Sequence, residues 1–327
     1  MARTDERTGE GGSESEEHVS SLESEPEVKT SENPKFHPIR RLAHLWHYRE
    51  ILVNLTRKEV KVKYTSSVLG TAWSMLNPLM YLLVFTFVFE VVLKSGIPNF
   101  PIYLLSGLLA WNLFSGSLTL SARSVVDNAN LVKKVYFPRE ILPLASIGAS
   151  MVDFGLQGIV LLVFMAVERY YHQLLGWNIL LLPLSMIALL LFTAALALWV
   201  GALNVKYRDT QHLLNLALLT WFWLTPVVYA MGSLQYRLQH TRFRDSLVLL
   251  YFLLNPMATI IAGFQRALYG IVNPPAYAIH NQGTLLLNVS LGEQAALLGV
   301  VSVISAGLIL VFWRFFFRQA GDFAEEL

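Results

Sequence analysis

The chain has 327 residues, of which 54% are hydrophobic and only 15% charged, against about 25% charged in an ordinary soluble domain. With a net charge of +2 and no cysteine, it is excluded from the disordered chains, the basic nucleic-acid binders, the disulfide scaffolds and thiol or zinc–thiolate chemistry. Its apolar residues come in blocks of about 20, the length that spans a bilayer, so the chain reads as an all-α integral membrane protein.

The small net charge hides an asymmetry. Residues 1–32 hold ten acids and three bases, net −7, and the remainder is net +9. Residues 1–34 are Glu-, Ser- and Gly-rich and bury too little to offset the entropy of ordering, so they read as a disordered acidic tail. They have no apolar run and are not a cleavable leader.

Residues 35–69 read as a cytoplasmic, amphipathic interfacial region. Ile39, Leu42, Ala43, Trp46 and Val53 recur at helical spacing, while Arg40 and Arg41 fall elsewhere round the helix, and Arg57 and Lys58 follow. Such a helix lies in the membrane interface with its cations near anionic lipid, or serves only to fix topology.

Residues 70–327 read as a domain of six transmembrane helices, at about 70–93, 101–121, 141–167, 178–203, 212–231 and 294–313. With both termini inside, the cytoplasmic connections carry 16 Lys/Arg and the outer ones 6, which obeys the positive-inside rule. The stretch at about 246–270 is apolar but interrupted by Asn255-Pro256. Each half is too short to cross, so the expectation is two short re-entrant helices between spans 5 and 6, dipping into the outer leaflet.

The cytoplasmic connection 122–140 reads as a short amphipathic helix. Val125, Ala129, Val132 and Tyr136 share one face, and Asp127, Asn130 and Lys134 the other. Asp127 near its start and Lys133-Lys134 near its end suit the helix dipole, and Phe137-Pro138 ends it. A rigid helix between two spans suits the transmission of force from a docked partner.

Several chemistries find no carrier. There is no G-x-x-x-x-G-K-[ST] loop for nucleotide phosphate, no H-E-x-x-H and no dense carboxylate cluster for a metal. One acid, Asp153, sits deep in a span, where it needs a partner, a wet path or a proton. One acid is thin for a proton relay, so the energy source reads as a separate protein.

Four stretches in order resemble the permease subunit of type-2 ABC exporters, in the branch that exports polysaccharide, O-antigen and teichoic acid. They are Leu55 to Tyr64 with Ser67 to Leu79, Asn130 to Pro138, Tyr207-Arg208-Asp209 with Trp223 to Tyr229, and Leu254 to Met257 with Phe264-Gln265-Arg266. The resemblance implies a homodimer of permeases above two copies of a separate ABC ATPase. ATP and magnesium then belong to that ATPase, with no cofactor, metal, catalytic residue or nucleic acid in this chain. It implies a glycan substrate, commonly linked to a polyprenyl diphosphate, and residence in the bacterial inner membrane. Residues 127–138 (Asp127, Asn130, Lys133, Lys134, Tyr136, Phe137 and Pro138) would dock the ATPase, and Asn255, Pro256 and Arg266 would belong to an outer gate.

A polymer path grips weakly and repeatedly, as aromatic faces and exchangeable amide or hydroxyl groups do. The candidate lining is Trp73, Asn77, Tyr81 and Phe85 at every fourth position of span 1, Trp111, Phe114 and Ser115 on span 2, and Trp221, Thr225 and Tyr229 on span 5. Aromatics also favour membrane interfaces and helix packing whatever the function. The competing readings are a type-2 permease for a drug or another lipid, a membrane glycosyltransferase, and a passive channel.

Overall fold

The computed structural model describes residues 38–65, 67, 70–170, 176–232, 251–252, 254–272 and 284–327, and every regular element among them is helical. The acidic tail lies outside the described residues.

Two helices precede the first long apolar one: α1 (Pro38–His47) and α2 (Arg49–Tyr64), separated at Tyr48, whose φ of −90° and ψ of 17° leave the helical region. The interfacial region is therefore two helices. Their apolar stripe points away from the body of the protein: Ile39, Leu42, Trp46 and Val53 are all exposed.

Among the described residues, five helical stretches are long and apolar enough to cross a membrane. The first, α3 (Ala72–Thr86), runs into a π-helical stretch, Phe87–Val92. It is followed by α4 (Phe100–Asp127), α6 (Ile141–Val167), α7 (Leu181–Lys206, preceded by a 3₁₀ turn at Trp177–Leu180) and α10 (Leu291–Ala320). These correspond to the expected spans 1, 2, 3, 4 and 6. Between them lie α5 (Ala129–Lys134), α8 (Thr210–Leu224) and α9 (Pro256–Leu268), and α11 (Phe323–Glu326) closes the chain.

The fifth expected span, 212–231, differs. α8 is 15 residues, about 22 Å, and stops at Leu224, where Thr225-Pro226 turns the backbone out of the helix. Proline has no N–H to donate, and the residue before it is pushed to extended dihedrals; Thr225 has φ −103° and ψ 132°.

α4 is the axis of the bundle. Of its most apolar stretch 78% is buried, against at most 39% for the other four. α6 and α7 pack along it, α10 lies along α7, and α9 fills the space against α4, α7 and α10. α3 and α8 sit at the margin with long exposed apolar faces, including Leu83 and Val84 on α3, Phe87 on the π-helical stretch that continues it, and Leu213, Leu216 and Leu219 on α8.

Small residues allow the close approaches between helices. A Cβ on Gly148 would lie 2.7 Å from Thr56 Oγ1 of α2, and one on Gly201 would meet the Ser121 carbonyl at 3.2 Å.

Helix ends are satisfied locally. Ser290 and Glu293 form a capping box at the start of α10, and Asn255 caps α9 with Pro256 in the first helical position.

Candidate functional site

The path candidates on three separate helices converge on one aromatic cluster. Tyr81 stacks on Phe85, Phe85 on Phe222, Phe222 meets Trp111 edge-on at 5.4 Å, and Trp111 abuts Phe114, which contacts Phe192 and Trp221. Spacing does not single out Phe192 or Phe222: Phe222 lies one position from the Trp221–Thr225–Tyr229 stripe, and the path candidates include none on the helix of Phe192.

Burial divides the candidates. Phe85, Trp111, Phe114 and Thr225 are buried within the protomer and serve as packing. Ser115 is half-buried and donates to the Trp111 carbonyl. Trp73, Asn77 and Tyr81 are exposed along one face of α3, and Tyr229 is half-buried with its hydroxyl on the Trp223 carbonyl. The cluster therefore packs behind the exposed face of α3, each aromatic contact adding about 0.5–1.5 kcal/mol beyond area burial.

Beyond Leu224 the backbone is irregular, and side chains of other elements satisfy its carbonyls. Leu224 O accepts from Tyr251 Oη at 2.8 Å, Val227 O from Gln265 Nε2 at 3.3 Å, and Tyr229 O from Tyr103 Oη at 2.9 Å. This is how non-helical backbone survives in an apolar setting. Asn255 is the centre of this seal: its Oδ1 accepts from Trp221 Nε1 at 2.8 Å and from the Ala258 amide, and its Nδ2 donates to Thr225 Oγ1 at 3.0 Å. Trp221, Thr225 and Asn255, assigned from sequence to a path and to a gate, thus hold one another. Arg266 donates to the carbonyls of Leu287 and Val289 and so ties the 284–290 stretch to α9. Residues 246–250 and 253 of the expected re-entrant stretch lie outside the described residues.

The 122–140 connection corrects the expected helix. α4 continues unbroken to Asp127, because Ser121, Ala122, Ser124 and Val125 remain buried. Asp127 is consequently at a helix C-terminus, against the dipole, and is offset by Arg123 Nε at 3.5 Å. Asn128 breaks the chain into an elbow, α5 adds six residues ending in Lys133-Lys134, and Val135 is extended. That extension swings Tyr136 off the buried face: it is 92% exposed, while Val132, Phe137 and Pro138 are buried. Asn130, Lys133 and Lys134 are exposed.

α2 lies beside this elbow. Lys58 Nζ donates to Asn128 Oδ1 at 2.5 Å. A groove of about 560 Å³ between the two is lined by Ile51, Asn54, Leu55, Lys58, Asp127, Asn128, Asn130 and Leu131. Arg57 is exposed. Arg41 is not a free lipid-facing cation: it pairs with Glu140, which is only 2% exposed, and lies 3.6 Å over the Phe317 ring. Trp313 Nε1 donates to the same carboxylate at 3.2 Å. The side chain of Arg40 lies outside the described residues, and Trp46 is exposed.

Asp153 has the partner that its position requires. It accepts from Lys63 Nζ and Tyr64 Oη at 2.5 Å each and from Ser74 Oγ at 2.8 Å. Burial first, and then the bond to Asp153, push the Tyr64 phenol up to about 12. Among the described residues no group of three or more His, Cys, Asp or Glu is placed to hold a metal.

Residues 51–269 match the ABC-2 type transporter family. The chain is 35% identical over 231 residues to the O-antigen export system permease protein RfbA of Myxococcus xanthus, covering 71% of this chain and 85% of that protein. It is 34% identical over 188 residues to an RfbA of Klebsiella pneumoniae, covering 57% and 71%. It is 20% identical over 184 residues to the polysialic acid transport protein KpsM of Escherichia coli, covering 54% and 69%. With five apolar helices of spanning length among its described residues and a match across two thirds of its length, the chain belongs to the ABC-2 type transporter family of multi-pass membrane proteins.

Proposed function

We propose that this chain is the permease subunit of an exporter that moves an O-antigen-type polysaccharide outward across the bacterial inner membrane, driven by a separate ABC ATPase. The observation that carries this reading is the 35% identity to an O-antigen export permease across 85% of that protein. The absence of a phosphate-loop motif from the sequence agrees with nucleotide chemistry in a partner chain.

In this reading both termini are cytoplasmic, and α8 with the irregular 225–231 segment completes a sixth crossing. α9 is one of the short re-entrant helices of the outer side. Two copies of the chain form the path, each offering the exposed α3 face with Trp73, Asn77 and Tyr81. The aromatic cluster behind that face keeps it from collapsing between sugar units. The ATPase seats in the groove between α2 and the α4–α5 elbow, with Lys133, Lys134 and Tyr136 on its rim. The substrate is a glycan carried on a polyprenyl diphosphate lipid.

The test is deletion and complementation. Loss of the chain should remove long polysaccharide from the cell surface and leave lipid-linked glycan on the inner side, and the chain should co-purify with an ABC ATPase. A deletion strain with a normal surface glycan and altered drug sensitivity would overturn the substrate assignment.

A further inference from the structure

Two contacts define how α2 lies on α6. Thr56 Oγ1 donates to the Ala145 carbonyl at 3.4 Å, and Tyr64 Oη to Asp153. Both pairs are separated by the same 89 positions. α2 and α6 therefore run in the same direction, in register, over eight residues or about 12 Å. α2 climbs along the first half of a spanning helix instead of lying flat across its end.

The grip is uneven. At the Thr56 end α2 has one long hydroxyl–carbonyl contact, with Thr56 seated closely against the bare backbone of Gly148, and Leu55 is the one buried residue of the helix. At the Tyr64 end a carboxylate collects three donors. Lys63 and Tyr64 come from α2 and Ser74 from the first turn of α3, and the Tyr64 and Ser74 hydroxyls lie against each other, their two protons shared among the contacts with each other and with Asp153. Bonds to a charged acceptor are the strong class. Between the two helices the chain turns at Gly70, with φ +52°, a conformation glycine adopts freely. The break at Tyr48 separates α2 from α1, which is pinned through Arg41 and Glu140. On its other side α2 touches the elbow through Lys58 and Asn128.

We propose that α2 is a lever that rocks on α6 about Asp153, handing movement of the α4–α5 elbow to α3, with Asp153 as its positioning residue. The lightly held arm faces the groove, the tightly held end is shared with α3, and α6 supplies the fulcrum. A push on the elbow then tilts the helix whose exposed face carries Trp73, Asn77 and Tyr81. The proposal rests on the reading of the elbow as the ATPase seat.

The chain has no cysteine, so the lever arm can be locked selectively. A Cβ on Gly148 would lie 3.5 Å from the Thr56 Cβ, within the range for a disulfide. The variant Thr56→Cys with Gly148→Cys, purified with its ATPase and reconstituted, is assayed for ATPase retention and for glycan exported per ATP, oxidised and after reductant. The expected result is that the ATPase stays bound while export per ATP falls at least tenfold on oxidation and returns on reduction. Equal export by the fully cross-linked and reduced forms overturns the lever. Should that variant fail to accumulate, Asp153→Ala decides: a tenfold loss of export per ATP with the ATPase still bound, rescued by Asp153→Glu, supports it. Unchanged export per ATP, or failure of the Glu variant to rescue, overturns it. Failure of the underlying reading is distinct, since the unsubstituted complex would then export no glycan or bind no ATPase.

Discussion

Removing the Asn255 side chain tests the seal between α8 and α9. Asn255 is 6% exposed and serves two helix ends at once. In Asn255→Ala the α9 cap is lost, at about 1 kcal/mol. The half-buried Trp221 indole loses its acceptor at 2.8 Å, and the buried Thr225 hydroxyl its Asn255 partner at 3.0 Å, which together cost a further ~1–3 kcal/mol. The Leu224 carbonyl retains Tyr251 at 2.8 Å and adds nothing. The expected loss is about 2–4 kcal/mol, or a melting point lower by about 4–8 °C for a domain of this size. The assay is thermal unfolding of the detergent-solubilised protein. Trp221→Phe is measured in both backgrounds as a double-mutant cycle, where a coupling of about 1 kcal/mol or more is expected. A melting point within about 1 °C of the parent, or additive single effects, would refute the hub.

Further outcomes follow from other contacts. Gly148→Val should lift α2 off α6, because its Cβ would sit 2.7 Å from Thr56 Oγ1. Faster proteolysis within α2 is expected, and Thr56→Ala should restore protection. Arg41→Ala strands the buried Glu140 carboxylate and should cost about 3 kcal/mol, whereas adding Glu140→Leu should recover most of it; a double variant worse than the single contradicts the pairing. Tyr136→Ala should leave the melting point unchanged, since the side chain is 92% exposed, yet weaken ATPase co-purification. The Tyr64 phenol titrates near 12 in the folded protein and near 10 when unfolded. A raised acid holds its proton more tightly in the folded state, so its contribution is complete below pH 10 and is lost as pH rises from 10 to 12. The stability gap between parent and Tyr64→Phe should be constant from pH 7 to 9 and shrink above 10; a gap that widens contradicts the assignment.

Much of the architecture is legible in the residue order. A bilayer of fixed thickness demands apolar blocks of fixed length, so five of the six expected spans appear as long helices near their expected bounds. The fifth ends early because Thr225-Pro226 stops the helix, a local signal that the apolar average over 212–231 conceals. The 122–140 connection misleads for a related reason. Nothing in its spacing marks Asn128 as the break, and burial of Ser124 and Val125 draws α4 onward to Asp127, which places Tyr136 outside the helix and off its face.

The sites divide in the same way. Stripes at every fourth residue locate Trp73, Asn77 and Tyr81 on one face of α3, but identical spacing places Phe85 in the core. Periodicity gives the angle round a helix and not what lies opposite. Likewise, the need of Asp153 for a partner follows from the cost of a charge within a span, while the identity of that partner does not.

The sequence by itself determined that this protein lives in a membrane, how many apolar blocks it has, and the family resemblance, because all three are written in composition and local order. Only the tertiary structure decided which aromatics are wall and which are surface, that Asn255 binds Trp221, and that Lys63, Tyr64 and Ser74 converge on Asp153. Those facts depend on contacts between residues as far apart in the chain as Phe85 and Phe222 or Lys63 and Asp153, and such contacts exist only once the helices have packed.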